Sequence, residues 1–124
     1  MTLRRLAILQ WVGLGLGATA WVVQLVTGYG VTEAECHAGG ARWGLSNDAW
    51  QLALMAVAVA CILTAEAAAV TVVRRTNPLS YQDAPPPGRI RFFAIAAVLA
   101  NVLFLTIVLL SGIGAIVNVT CRGA

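Results

Sequence analysis

Apolar residues in this chain collect into three long runs, about 6–28, 48–73 and 92–117, with short polar stretches between them. Each run is long enough for a helix rising ~1.5 Å per residue to cross a ~30 Å hydrocarbon layer. The pattern predicts an all-α integral membrane protein, with three transmembrane helices forming one membrane domain over residues 1–124. A cleavable leader is the competing reading of the first run, because Ala18-Thr19-Ala20 offers a small-residue cleavage site. The apolar run continues past it through Trp21, Val22, Val23, Gln24, Leu25 and Val26, so a retained first helix is expected.

Within the runs, small and polar residues repeat at steps of three and four, the spacing of one helix face. On the first helix these are Gln10, Gly13, Gly17, Ala20, Gln24 and Thr27; on the second, Ala53, Ala56, Ala60, Thr64, Ala67 and Thr71. On the third, Ala94, Ala97, Asn101, Gly112 and Ala115 lie close to one face. These stripes are expected to be packing surfaces, and Gly13 with Gly17 forms the GxxxG spacing that lets helix backbones approach closely. Glu66 is the one ionisable residue inside a run, and an unpaired charge there is costly. Counted from the flanking arginines, Glu66 and Asn101 lie at similar depth, so a hydrogen bond between them is an expectation. Glu66 sits about 100° around the helix from Ala67, which leaves a contact to another subunit or a proton relay as further readings beside the expected one, a protonated or hydrogen-bonded structural glutamate.

The stretch 29–47 reads as a turn-rich outer loop, with Gly28, Gly30, Gly39, Gly40 and Gly44 in or beside it. Ser46, Asn47 and Asp48 are N-cap candidates for the second helix, and Asp48 with Gln51 has capping-box spacing. Trp43 and Trp50 suit an interfacial aromatic belt. In the second connection, 74–91, Pro85-Pro86-Pro87 favours a stiff polyproline II connector ending just before the third helix; a docking strip is the sharper alternative.

Composition agrees: hydrophobic residues make up 60% of the chain and charged residues 10%, against about a quarter charged in a soluble domain. The net charge of +3 comes from eight basic residues, all arginine, gathered at run ends rather than along a stripe, which argues against nucleic acid as a partner. Arg4, Arg5, Arg74, Arg75, Arg89 and Arg91 share one side and only Arg42 and Arg122 the other, so the positive-inside rule predicts a cytoplasmic N-terminus and an extracytoplasmic C-terminus. The lack of lysine beside abundant Ala, Gly, Val and Arg has the look of a high-GC bacterial genome, and the expected location is a bacterial plasma membrane.

Of three cysteines, Cys36 and Cys121 both fall on the oxidising side, and a Cys36–Cys121 disulfide is predicted. Closing a loop of ~85 residues, it would stabilise by about 4–5 kcal/mol in the chain-entropy picture. Cys61, inside the second run, reads as a small buried hydrophobe. Glu33, Glu35, Cys36 and His37 are all metal-ligand types, so a copper or zinc cluster is the competing reading; their spacing matches no closed tetrahedral pattern. Asn118-Val119-Thr120 matches a glycosylation triplet and reads as chance beside a membrane.

No phosphate loop, dinucleotide fingerprint, H-E-x-x-H or C-x-x-C is present, the sole histidine is His37, and no nucleophile has a neighbouring base. Catalysis by this chain alone is not expected, nor is a haem ligated within its spans.

Pro85-Pro86-Pro87-Gly88-Arg89-Ile90-Arg91-Phe92, the apolar run to Leu110-Ser111-Gly112-Ile113-Gly114, and the terminal Cys121 resemble small three-helix proteins encoded beside bacterial haem–copper cytochrome oxidase genes. The resemblance covers the last third of the chain. It implies an accessory role in a cytochrome oxidase or respiratory supercomplex, with haem and copper held by other membrane subunits, and transfers no catalytic residue. An assembly or metal-delivery factor and a small proton-coupled transporter are the alternatives.

Overall fold

The computed structural model describes residues 2–37, 46–80 and 82–117. These form three helices, α1 (Leu3–Cys36), α2 (Asn47–Arg75) and α3 (Pro87–Val117), each packed against the other two. All three are long and apolar enough to cross a membrane, as a multi-pass membrane protein requires. Gly13 meets Ala65 and Ala69 while Gly28 meets Gln51, so α2 runs antiparallel to α1. Gly17 meets Asn101 and Gln24 meets Ser111, so α3 runs parallel to it. Large apolar side chains such as Trp11, Val26, Val57, Leu99, Leu103 and Leu110 point outward, as a lipid-facing surface requires.

Local chemistry sets the helix ends. Thr2 caps α1, its hydroxyl oxygen accepting from the Arg5 amide at 3.3 Å. On α2, Asp48 in the first turn and Arg74 and Arg75 in the last both complement the helix dipole. Pro87 opens α3, where its missing N–H costs nothing.

Four local expectations are corrected. The first connection is not a loop from residue 29: α1 continues through Gly28 and Gly30 to Cys36, and residues 38–45, Trp43 among them, lie outside the described residues. Gly28 serves close packing instead of a turn, since a Cβ there would sit 3.0 Å from Gln51 Oε1. The Asp48–Gln51 capping box does not form: Ser46 is the N-cap, its side chain makes no capping bond, and Gln51 turns into the core. The proline run is not an extended connector, because residues 85–86 form a turn and Pro87 already belongs to α3. Gly88 fits tightly here, since a Cβ would overlap the Asp83 carbonyl oxygen.

The fourth concerns α2. Its expected packing stripe points away from the other helices: Ala53, Ala56, Ala60, Thr64 and Ala67 are exposed and Thr71 is half-buried. Ala58, Ile62, Ala65, Ala68, Ala69 and Val72 are buried instead. The exposed hydroxyl of Thr64 donates back to the Ala60 carbonyl at 2.9 Å, and that of Thr71 to Ala67 at 2.7 Å, so neither brings an unmet polar group to the surface.

Candidate functional site: the polar interior of the bundle

Polar side chains inside a membrane domain are the first place to seek function, because hydrocarbon offers them no partner. Here most of them turn inward. At the centre, Asn101 is 1% exposed and donates through Nδ2 to the Gly13 carbonyl at 2.9 Å. Its Oδ1 rests over Gly17, so tightly that a Cβ at residue 17 would overlap it. The Gly13–Gly17 pair therefore does work as a close-approach motif, but within the chain. Gly13 admits Ala65 and Ala69 of α2, and Gly17 admits Asn101 of α3. Trp21 stacks on Phe104 one turn further along, with ring centroids 5.5 Å apart.

Toward the C-terminal ends of α1 and α3, Ser111 donates to Gln24 Oε1 at 3.3 Å, joining α3 to α1. One turn beyond lies a three-helix knot that the sequence did not reveal. Gln51 Nε2 reaches the Gly28 carbonyl at 2.9 Å and Thr32 Oγ1 at 3.1 Å, Thr32 donates to Asn47 Oδ1 at 3.2 Å, and Asn47 Nδ2 reaches the Ala115 carbonyl at 3.5 Å. Its signal was present: Gly28 and Thr32, like Asn47 and Gln51, stand four apart on one face.

At the other end, Arg91 leaves the positive belt to cap α2. Its Nη1 donates to the Val73 carbonyl at 3.0 Å and to Thr76 Oγ1 at 3.3 Å, meeting carbonyls that α2 leaves open as it ends.

Among the described residues, four buried side-chain atoms have no hydrogen-bond partner: Gln10 Nε2, Trp21 Nε1, Glu66 Oε2 and Asn101 Oδ1. The expected Glu66–Asn101 bond is absent, because Asn101 faces α1. Glu66 is half-buried at the same depth as Ala65 and Ala69, and so as Gly13. Cys61, expected to be buried, is a half-buried free thiol that lines a shallow apolar groove with Leu16, Thr19, Ala20, Val23, Val57 and other neighbours.

At the C-terminal end of α1 the candidate ligands come together only as a pair. His37 Nδ1 lies 2.6 Å from the Glu33 carbonyl oxygen and 3.9 Å from its carboxylate, in solvent. Glu35 projects from a different side of the helix. Cys36 is not a free thiol. Among the described residues no three His, Cys, Asp or Glu side chains group as a metal site would. Cys121, with Arg122 and the Asn118 triplet, lies outside the described residues.

No known protein family matches the chain, and no curated protein or solved structure matches it significantly.

Proposed function

We propose that this chain is a non-catalytic accessory subunit of a larger membrane assembly, a bacterial respiratory complex containing a cytochrome oxidase. The observation that carries the structural role is how its polar side chains are used. Asn101, Gln24, Asn47, Gln51 and Arg91 each tie one helix to another rather than lining a cleft around a reactive group. A small-residue face of α2 is left outward for a neighbouring transmembrane helix. The oxidase assignment rests on the resemblance of the last third of the chain; haem and copper belong to the partner subunits. In this reading the chain sits in the plasma membrane with its arginine-rich end cytoplasmic. A Cys36–Cys121 disulfide pins the outer end of α1 to the chain beyond α3, in keeping with Cys36 not being free while Cys61 is.

The test is gentle solubilisation of native membranes, capture of this chain, mass spectrometry of its companions and a visible spectrum. Stoichiometric oxidase subunits with haem bands support the assignment; a lone colourless protein refutes it. A metal-delivery role is disfavoured because, among the described residues, Glu33 and His37 approach each other but no third ligand-type side chain joins them. Proton-coupled transport is favoured by one observation, the buried partnerless oxygen of Glu66, and transport undiminished in Glu66→Gln would remove it.

A further inference from the structure

Arg89, Phe92, Ala96 and Leu99 follow steps of three, four and three, and so stand one above another along α3. Phe92, Ala96 and Leu99, with Ile95, line a wholly apolar groove on the outside of the bundle, and the exposed Arg89 lies just beyond its end. On α1, Arg4, Ile8 and Trp11 share a face in the same way. The two faces meet through aromatic rings: Trp11 stacks on Phe93 at 6.1 Å, and Phe93 meets Phe92 edge-on at 5.5 Å. Asn101 against Gly13 and Gly17 fixes the register of α1 and α3. Counted from that contact, Arg4 and Arg89 lie at one depth to within about a helical turn.

The charge of these arginines is unmatched. Among the described residues the one ion pair is His37–Glu33, at the opposite end of the bundle. No acid stands in the first turn of α3, where the helix dipole adds positive potential. Asp83, in the adjoining loop, has its carboxylate on the Ser80 amide at 2.7 Å. Arg5, Arg74 and Arg75 are exposed and raise the potential of the same end.

We infer that the outward face of α3 at this end, together with the adjoining end of α1, binds an anionic phospholipid, with Arg4 and Arg89 holding the phosphate and the Phe92–Ile95–Ala96–Leu99 groove of α3 taking an acyl chain. Guanidinium forks match phosphate oxygens in pairs. Cations at the foot of an apolar groove that runs into a membrane span fit a phosphate carrying a hydrocarbon tail better than a free anion. The site does not depend on which leaflet this end faces.

The test uses the full chain, delipidated in mild detergent and titrated with phosphatidylglycerol, phosphatidylcholine or inorganic phosphate, with bound lipid counted by native mass spectrometry. Phosphatidylglycerol is expected to bind about tenfold or more tightly than phosphatidylcholine. Arg4→Gln should weaken it about fivefold, and Arg4→Gln with Arg89→Gln about 25-fold. Ala96→Trp fills the groove without changing charge and should also weaken it, whereas Arg74→Gln with Arg75→Gln should have the smaller effect of distant charges. Circular dichroism verifies that each variant keeps its helices, and both proposed phosphate ligands are exposed enough to be replaced safely. Equal binding of phosphatidylcholine, or undiminished phosphatidylglycerol binding in the double arginine variant, overturns the proposal. Competition by millimolar inorganic phosphate together with indifference to Ala96→Trp also overturns it, leaving a simple anion site.

Discussion

Replacing Gly17 by alanine adds one methyl group, yet the structure makes it among the more damaging changes available. The new Cβ would overlap Asn101 Oδ1 and lie 3.2 Å from Asn101 Cγ. Asn101 is 1% exposed and its Nδ2 is held by the Gly13 carbonyl, so the side chain cannot swing aside without giving up that bond. Overpacking of this kind costs about 1–3 kcal/mol, and an interhelical hydrogen bond in a membrane protein contributes about 0.6–1.7 kcal/mol. Gly17→Ala should therefore destabilise by about 2–3 kcal/mol. Asn101→Ala alone should cost about 1–2 kcal/mol, for the lost bond and the space it leaves. In the Asn101→Ala background the nearest remaining atom to the new methyl is Phe104 Cδ2 at 3.6 Å, an ordinary contact. There Gly17→Ala should cost about 0.5 kcal/mol or less, since alanine is the better helix former. The double-mutant cycle thus predicts a coupling of about 2 kcal/mol. Reversible unfolding in mixed micelles, followed by circular dichroism and by tryptophan fluorescence, to which Trp21, stacked on Phe104 one turn from Gly17, contributes, measures it. Gly15→Ala is the control, since nothing lies within 4 Å of its Cβ position. Equal cost of Gly17→Ala in both backgrounds would refute the reasoning, as would a Gly15→Ala variant just as unstable.

The same logic separates two other glycines. Gly30→Ala meets open space and should stabilise by about 0.5–1 kcal/mol in the same unfolding assay, whereas Gly28→Ala presses on Gln51 and should gain nothing or lose stability. Arg91→Met removes the donor to Val73 and Thr76 and should lower stability by about 1–2 kcal/mol, with Arg91→Lys recovering part; equal losses in the two variants would show that fork geometry is irrelevant. Maleimide labelling of the denatured chain should modify one cysteine, Cys61, without reductant and three with it; three in both conditions would exclude the Cys36–Cys121 disulfide.

Span number and helical class were legible because hydropathy over a membrane-length window is a one-dimensional property that lipid enforces directly. The helix ends were less legible. Glycine was read as a turn former at Gly28 and Gly30, but α1 carries on through both, and glycine inside a membrane helix as often marks a close approach. The proline run was read as an extended connector ending just before the third helix, but Pro87 begins that helix, since the first helical position needs no N–H. Arg91 was counted only as charge. Its reach to the end of α2 depends on how tightly the connecting turn brings the two helices together, and composition carries no record of that.

Which face of each helix turns inward is the harder question, and the three helices answer it differently for a physical reason. Lipid tails are as apolar as leucine, so hydrophobicity barely orients a membrane helix; hydrogen-bonding side chains and close approach do. On α1, Gln10 and Gln24 lie on the stripe of Gly13 and Gly17, the two signals agree, and these four are buried; Ala20 of the expected stripe is half-buried and Thr27 exposed. On α3, Asn101 plays the same part among Ala94, Ala97 and Gly112. On α2 alanines occupy both sides, so small size alone is ambiguous, and the periodic set chosen from sequence was the exposed one. The residue that breaks the tie is Gln51. From it, steps of seven, four, three, four and three reach Ala58, Ile62, Ala65, Ala69 and Val72, the face that is buried. Reading Gln51 as half of a capping box took away the one polar marker that points α2 inward. With Gln51 assigned to the interior, the Ala53–Ala56–Ala60–Ala67 face follows as the outward one, and Glu66 falls to the side of the bundle, neither on that face nor at its axis.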